Sequence, residues 1–306
     1  MSNKEDSKCA PSKEYKDGSC LPVSSLVELA KGWNNFVEKN KKPDLKPINI
    51  DSPDYTLNTS KFKLYLIEQF NEKFKNICND QLCWIKQEFT KYVDKKTFDD
   101  IQNNTWKPRG PTAMNKTTKN KWLNTIDINA EMIQYESKYL DFKFLGAVPL
   151  DFNDLKLDID DKIVKGFSGV DYNKYYDNGK YKFGAIINLD RSGEPGSHWV
   201  GLFFDIKNNQ IYFSDSTGHE PDEEIRKFMR FMANYCLTKN KIKKNELVVN
   251  HNKTEHQRGN SECGVYSINF ILRLLKGETF EQITTKRLDD AEVQKCRDVY
   301  FIDEKL

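Results

Sequence analysis

A lone Cys263-Gly264 sits where a polar stretch, residues 250–262, gives way to Val265, Ile268, Ile271, Leu272 and Leu275, spaced as one face of a helix. The spacing puts the thiol at a helix start, where the dipole and free backbone N–H groups favour thiolate, the nucleophilic form. A thiol nucleophile in acyl transfer needs a base for its proton, a polar group to hold that base, and donors for the oxyanion. The candidate bases are His198, His219, His251 and His256. His198-Trp199 follows the turn Gly193-Glu-Pro-Gly196 and opens an apolar run, so its ring can project from a strand end. After the turn Lys207-Asn-Asn-Gln210, the next run ends in Ser214-Asp-Ser-Thr-Gly218. Two adjacent antiparallel strands then bring Asp215 back beside His198. Asp215 also fits an ordinary turn or cap, and His251 and His256, nearer Cys263 in a polar loop, stay open as the base. Cys78-x4-Cys83 and His251-x4-His256 have the spacing of metal-ligand pairs. They lie far apart and neither has a second pair beside it, so no metal is expected.

The elements that must position these groups change character along the chain. Residues 1–20 read as a polar tail. Residues 21–140 read as a helical N-terminal domain: a helix with Leu26, Leu29, Ala30, Trp33 and Val37 on one side, a Lys/Pro-rich connector over 39–53, a helix over 60–76 and a third over 82–92. Residues 103–111, rich in Pro and Gly, mark a boundary or docking loop, and 122–139 reads as a further helix. From 141 to 306 the pattern becomes short β-type runs at 142–150, 183–189, 199–204, 210–213 and 247–249, with a helix from Pro221 to Tyr235. The fold class is α+β, a sheet flanked by helices behind a helical front. Residues 153–180 fit no pattern.

Composition bounds the function. The 306 residues are 38% hydrophobic and 31% charged, and 48 basic side chains nearly balance 46 acidic ones, for a net charge of +2. A soluble globular protein follows, with no global field directed at nucleic acid or an anionic membrane. The first residues carry no apolar signal core and no run is long enough to span a bilayer. The seven cysteines, 9, 20, 78, 83, 236, 263 and 296, are odd in number and scattered. Reduced thiols in a cytoplasm-like compartment are therefore expected.

The ordered set His198-Trp199, Asp215-Ser216, Gln257 and Cys263-Gly264 resembles the ubiquitin-like-protein (SUMO) protease family and its relative the adenovirus proteinase, over about residues 180–300. The resemblance implies a papain-like-clan cysteine protease core with a central mixed sheet. It also implies Cys263 as nucleophile, His198 as general base and acid, Asp215 as orienting group, and Gln257 as oxyanion donor beside the Cys263 backbone N–H. Pro108-Arg-Gly-Pro111, the 123–129 and 149–152 stretches, His256-Gln-Arg258 and Glu262-Cys-Gly264 further resemble the polyprotein-processing proteases of African swine fever virus and other large DNA viruses. Those enzymes carry a helical front and cleave structural polyproteins after Gly-Gly during virion maturation, which implies the same partner here and a place in the host cytoplasm (viral factory) and virion. Two departures are Asp215, where the swine fever protein has Asn, and Asn260, where a second Gln precedes the cysteine. Trp199 is then either one wall of a narrow Gly-Gly cleft or core. No cofactor is expected, and nothing in the charge pattern requires the DNA that the adenovirus relative uses. A deconjugase for ubiquitin-like modifiers and a catalytically silent scaffold are the competing readings.

Overall fold

The computed structural model describes residues 8–41, 43–51, 57–111 and 121–302; residues 1–7 of the polar tail and 42, 52 and 53 of the connector lie outside them. The chain divides into two compact units between Pro108 and Arg109, whereas the sequence reading divides it at 140/141. The difference has a local cause. The segment after 121 carries Leu123, Ile128, Met132 and Tyr135, all buried in one core with residues of the sheet.

The first unit contains α1 (Val23–Asn40), α2 (Thr59–Phe74), two 3-10 turns (Gln81–Lys86 and Glu88–Tyr92) and α3 (Lys95–Asn104). α1 buries Leu26, Leu29, Ala30 and Trp33, and the Trp33 ring meets Phe74 and Phe89 edge-on at 5.5 and 5.8 Å. The 82–92 stretch, read as one helix, is broken by extended backbone at Gln87, which lets Trp84 and Phe89 both reach Phe70. Asn34 ties residue 48 of the connector to α1 through its side-chain oxygen and amide. Residues 8–20 belong to this unit: Ala10 N–H donates to the Thr105 carbonyl and Lys107 N–H to that of Lys8. Here the cysteine expectation is corrected. Cys9 is joined to Cys20 and Cys78 to Cys83, while Cys236, Cys263 and Cys296 are free. The scattered odd count concealed two local pairs, 11 and 5 residues apart.

The second unit is built on a five-stranded mixed sheet, β1 (Phe142–Pro149), β4 (Lys182–Asn188), β5 (Trp199–Asp205), β6 (Gln210–Ser214) and β7 (Val248–His251), in the order 1-4-5-6-7. β1/β4 and β6/β7 are parallel, and β4/β5/β6 are antiparallel. Both faces of β1, β4, β5 and β6 are covered, which is why those strands read as short apolar runs, while the edge strand β7 is largely exposed. One face holds Phe144, Ile186 and Phe203 against α4 (Thr125–Ile133), α5 (Tyr135–Lys138), α8 (Cys263–Leu275), α9 (Phe280–Thr285) and α10 (Asp290–Tyr300). The other holds Phe183, Val200, Leu202 and Phe204 against Ile225, Phe228 and Met232 of α7 (Glu223–Asn240). The segment that fitted no pattern forms the small hairpin β2 (Lys156–Asp158) and β3 (Ile163–Lys165), a 3-10 turn and α6 (Tyr172–Asp177). α8 lies so close over β5 that a Cβ on Gly201 would come within 2.8 Å of the Phe270 ring.

Candidate active site

Three segments converge at one end of this sheet. His198 immediately precedes β5, and its carbonyl accepts from Leu189 N–H, which prolongs the β4/β5 pairing to the histidine itself. Asp215 immediately follows β6. The pairing Gly201↔Ser214 places Asp215 diagonally from His198 rather than directly across, yet His198 Nε2 lies 2.7 Å from Asp215 Oδ1. The backbone of Asp215 is clamped by Asn252, whose side chain accepts from the Asp215 N–H at 2.8 Å and donates to its carbonyl at 2.6 Å. That carboxylate is almost wholly buried and the imidazole is partly open, 3% and 18% exposed. A partly open ring can meet a substrate.

Cys263 is the first residue of α8 and is buried. As such its N–H has no intrahelical acceptor. The His198 side chain hydrogen-bonds Asp215 and is also acted on by the neighbouring Cys263. Burial disfavours the charged ring, but the bond to Asp215 and the interactions with both neighbours outweigh it and hold His198 up to about 9. Burial likewise disfavours the Asp215 carboxylate, and its bonds from His198 and Thr217 nonetheless hold it below the usual range. The pair thus favours the ionised imidazolium and carboxylate.

Gln257 is buried beside the same loop. Ser216 Oγ donates to its Oε1 at 2.7 Å, the Ser216 carbonyl accepts from the Gln257 N–H at 2.8 Å, and Gln257 Nε2 donates to the Gly259 carbonyl at 2.9 Å. One amide hydrogen of Nε2 remains for another acceptor. The stretch between Gln257 and Cys263 is strapped to α10. Asp290 accepts from Gly259 N–H at 2.7 Å, Arg297 donates to the Ser261 carbonyl at 2.9 Å, and buried Glu262 accepts from Ser261 N–H and Gln294 Nε2, both at 2.9 Å.

Trp199 is both core and lining. Its indole N–H donates to the Leu123 carbonyl at 2.8 Å, and it shares a groove of about 350 Å³ with Trp122, Leu123, Asn188, Glu194 and Gly196. Gly264 lets this wall close up, since a Cβ there would come within 3.2 Å of Leu123 and 3.4 Å of the Trp199 ring. Of the other candidate bases, His256 is buried with Nε2 3.3 Å from the Thr284 carbonyl, and His251 ends β7 opposite Phe213. Cys78, half of one metal-type pair, is bonded to Cys83. Among the described residues no cluster of three or more His, Cys, Asp or Glu could hold a metal ion, and no helix is long and apolar enough to cross a membrane.

The sequence singled out Cys263, His198, Asp215, Gln257 and Trp199, and the structure brings all five to one end of the sheet. It named Ser216 without a role and missed Asn252, Trp122 in the groove and the strap from α10. The capping-type signature Asn124-Thr-Ile-Asp127 could have shown that 122–124 is a helix entrance and not helix, because Asn124 caps Ile126 and Asp127 and Asp127 returns to Asn124.

Residues 183–306 match the model of the Ulp1 protease family, C-terminal catalytic domain. The chain is 38% identical to thiol protease R355 of Acanthamoeba polyphaga mimivirus over 295 residues, covering 96% of this chain and 92% of that protein. It is 25% identical to cysteine protease S273R of African swine fever virus over 246 residues, 77% of this chain and 87% of the relative. The crystal structure of the ASFV pS273R protease superposes with a TM-score of 0.60 at 22% identity, covering 83% of this chain and 93% of that one, which agrees in fold. A mixed sheet flanked by helices, a thiol at a helix start beside an imidazole, and a near full-length viral thiol protease relative together place the chain in the Ulp1 family of cysteine proteases.

Proposed function

We propose that this protease hydrolyses peptide bonds after Gly-Gly in viral structural polyproteins, using Cys263, His198 and Asp215 with Gln257 as oxyanion donor. The observation that carries the reading is His198, hydrogen-bonded to Asp215 at 2.7 Å and held protonated by Asp215 and Cys263 together. The attacking species pairs the Cys263 thiolate with the His198 imidazolium, which holds the proton the thiol has given up, and the sulfur bonds to the scissile carbonyl carbon. The oxyanion is met by the free Nε2–H of Gln257 and the Cys263 N–H, and each such donor contributes about 3 kcal/mol to the transition state. Collapse breaks the C–N bond, and the amine leaves with the proton from His198. Water, deprotonated by His198, then attacks the thioester and releases the carboxylic acid product and the thiol.

Several observations support the finer claims. The close packing of Leu123, Gly264 and Trp199 makes one wall of the groove, which suits residues without side chains. The viral relatives support polyprotein processing, in the host cytoplasm (viral factory) and the virion. A second reading, removal of ubiquitin-like modifiers, is favoured by one of the African swine fever relatives being a SUMO-1 cysteine protease.

The test compares a Gly-Gly-Xaa peptide, its Ala-Ala-Xaa counterpart and a ubiquitin-like modifier fused to a reporter, with wild type and Cys263→Ala. Cleavage of the Gly-Gly peptide, lost in Cys263→Ala, is expected. Strong preference for the fusion selects the deconjugase, and equal cleavage of both peptides overturns the narrow cleft. A Cys263 that neither cleaves nor takes up a thiol-reactive probe selects the silent scaffold.

A further inference from the structure

Asp215 carries more hydrogen bonds than its bond to His198. Its Oδ1, the atom 2.7 Å from His198 Nε2, also accepts from Thr217 N–H at 2.8 Å and from Thr217 Oγ1 at 2.7 Å. Thr217 Oγ1 in turn lies 2.7 Å from His219 Nδ1. Proton counting fixes the direction of that last contact. The hydroxyl has one hydrogen, the ionised carboxylate can only accept, and so the hydroxyl proton goes to Asp215. His219 Nδ1 must therefore carry a proton and donate to Oγ1. The His219 ring is 81% exposed, and its Nδ1 is 3.9 Å from Asp215 Oδ2. A chain of bonds thus runs from solvent through His219 and Thr217 to the carboxylate that holds His198.

We propose that Thr217 and His219 are positioning residues of the catalytic pair: Thr217 pins Asp215 Oδ1 in line with His198, and His219 holds the Thr217 hydroxyl in the rotamer that does so. The inference rests on the reading of Asp215 as the orienting group. A backbone clamp alone leaves the carboxylate free to turn about its side-chain torsions, because Asn252 touches only the main chain of Asp215. The Thr217 N–H and hydroxyl together supply the missing restraint, and the hydroxyl is the part that a side-chain change removes. The titratable groups around the cluster are His198 from the start of β5, His219 from the loop itself and Cys263 from α8; Asn252, Ser216 and Gln257 carry no charge.

The test measures kcat, KM and the pH profile of kcat/KM on the Gly-Gly-Xaa peptide for Thr217→Val, Thr217→Ser, His219→Ala and the Thr217→Val/His219→Ala double variant. Thr217→Val should lower kcat about tenfold with KM within about twofold, and should move the basic limb to lower pH as His198 loses its aligned partner. Thr217→Ser should restore both. His219→Ala should cost about threefold, and the double variant should be no slower than Thr217→Val, since the histidine acts only through the hydroxyl. An unmoved basic limb in Thr217→Val, a shift to higher pH, or additive losses in the double variant overturns the proposal. Asp215→Ala is run beside them. If it too leaves rate and profile unchanged, the reading of Asp215 has failed and this inference falls with it. If Asp215→Ala is slow while Thr217→Val matches wild type, only this inference has failed.

Discussion

Raising the pH should switch the enzyme off through His198, and Asp215→Asn should bring that point to lower pH. His198 is held from an ordinary 6.5 up to about 9, against the effect of burial. At about 1.36 kcal/mol per pH unit, that interval is roughly 3 kcal/mol in favour of the imidazolium. Asp215 and Cys263 supply it between them, and the bond to Asp215 is the foremost of the upward contributions. An amide of the same shape keeps the packing and loses the charge, which should remove on the order of half, about 1.5 kcal/mol or tenfold in the proton equilibrium. The sign follows from the direction. A raised value means that the folded chain holds a proton the unfolded chain has released, so the stabilisation is fully present below about 6.5 and is lost as pH rises through about 9. The assay is kcat/KM on the Gly-Gly-Xaa peptide from acid to alkaline pH, which reports groups of the free enzyme, with urea unfolding at the same pH values. Wild type should lose activity close to about pH 9, and Asp215→Asn about one pH unit lower. A basic limb that Asp215→Asn leaves in place would refute the assignment of Asp215 as the group that holds the imidazolium.

Gln257→Ala should lower kcat roughly a hundredfold with little change in KM, because the donor acts on the oxyanion and not on the ground state; steady-state kinetics on the same peptide decides it. Gly264→Ala should destabilise the second unit by about 1–2 kcal/mol, since the new Cβ meets Leu123 at 3.2 Å and Trp199 at 3.4 Å, and thermal unfolding measures it. Cys9→Ser with Cys20→Ser should weaken the first unit by about 3 kcal/mol, the loop-closure contribution of a crosslink spanning 11 residues. Urea unfolding with and without reductant checks it, and reductant should leave the double variant unaffected if the two remaining paired cysteines are also replaced.

The sequence announced the parts of the site that local rules govern. The apolar period after Cys263 predicted the start of α8, and α8 begins at Cys263. The hairpin turn near Asn208 predicted antiparallel β5 and β6, although the register puts Asp215 two residues away from the position directly across from His198. The parts that stayed hidden depend on residues distant in the chain. Arg297 reaches the Ser261 carbonyl across 36 positions and Asp290 reaches Gly259 N–H across 31, and neither pairing has a periodic signature. The pattern over 122–139 starts a helix at Trp122, whereas Asn124 caps that helix and leaves Trp122 in the groove. Counting cysteines failed for a related reason. An odd total says nothing about two pairs that close short loops.

The loop after β6 gives the arrangement its economy. Asp215 faces the imidazole, Ser216 fixes both the backbone and the side chain of Gln257, and Thr217 returns two hydrogen bonds to Asp215. His198 and Gln257, the proposed base and oxyanion donor, are therefore registered against one segment, itself clamped by Asn252. Cys263, the proposed nucleophile, is registered separately, by the packing of α8 on β5 and by the strap from α10. Acyl transfer needs the distance between these two bodies to be constant to within a fraction of an ångström. The Ser267 hydroxyl, in reach of the Trp199 carbonyl at 3.1 Å and the Cys263 carbonyl at 2.9 Å, lies between the strand that carries His198 and the helix that carries Cys263. It is a direct polar link between that strand and that helix, and it explains why a small polar side chain stands on the otherwise apolar face of α8.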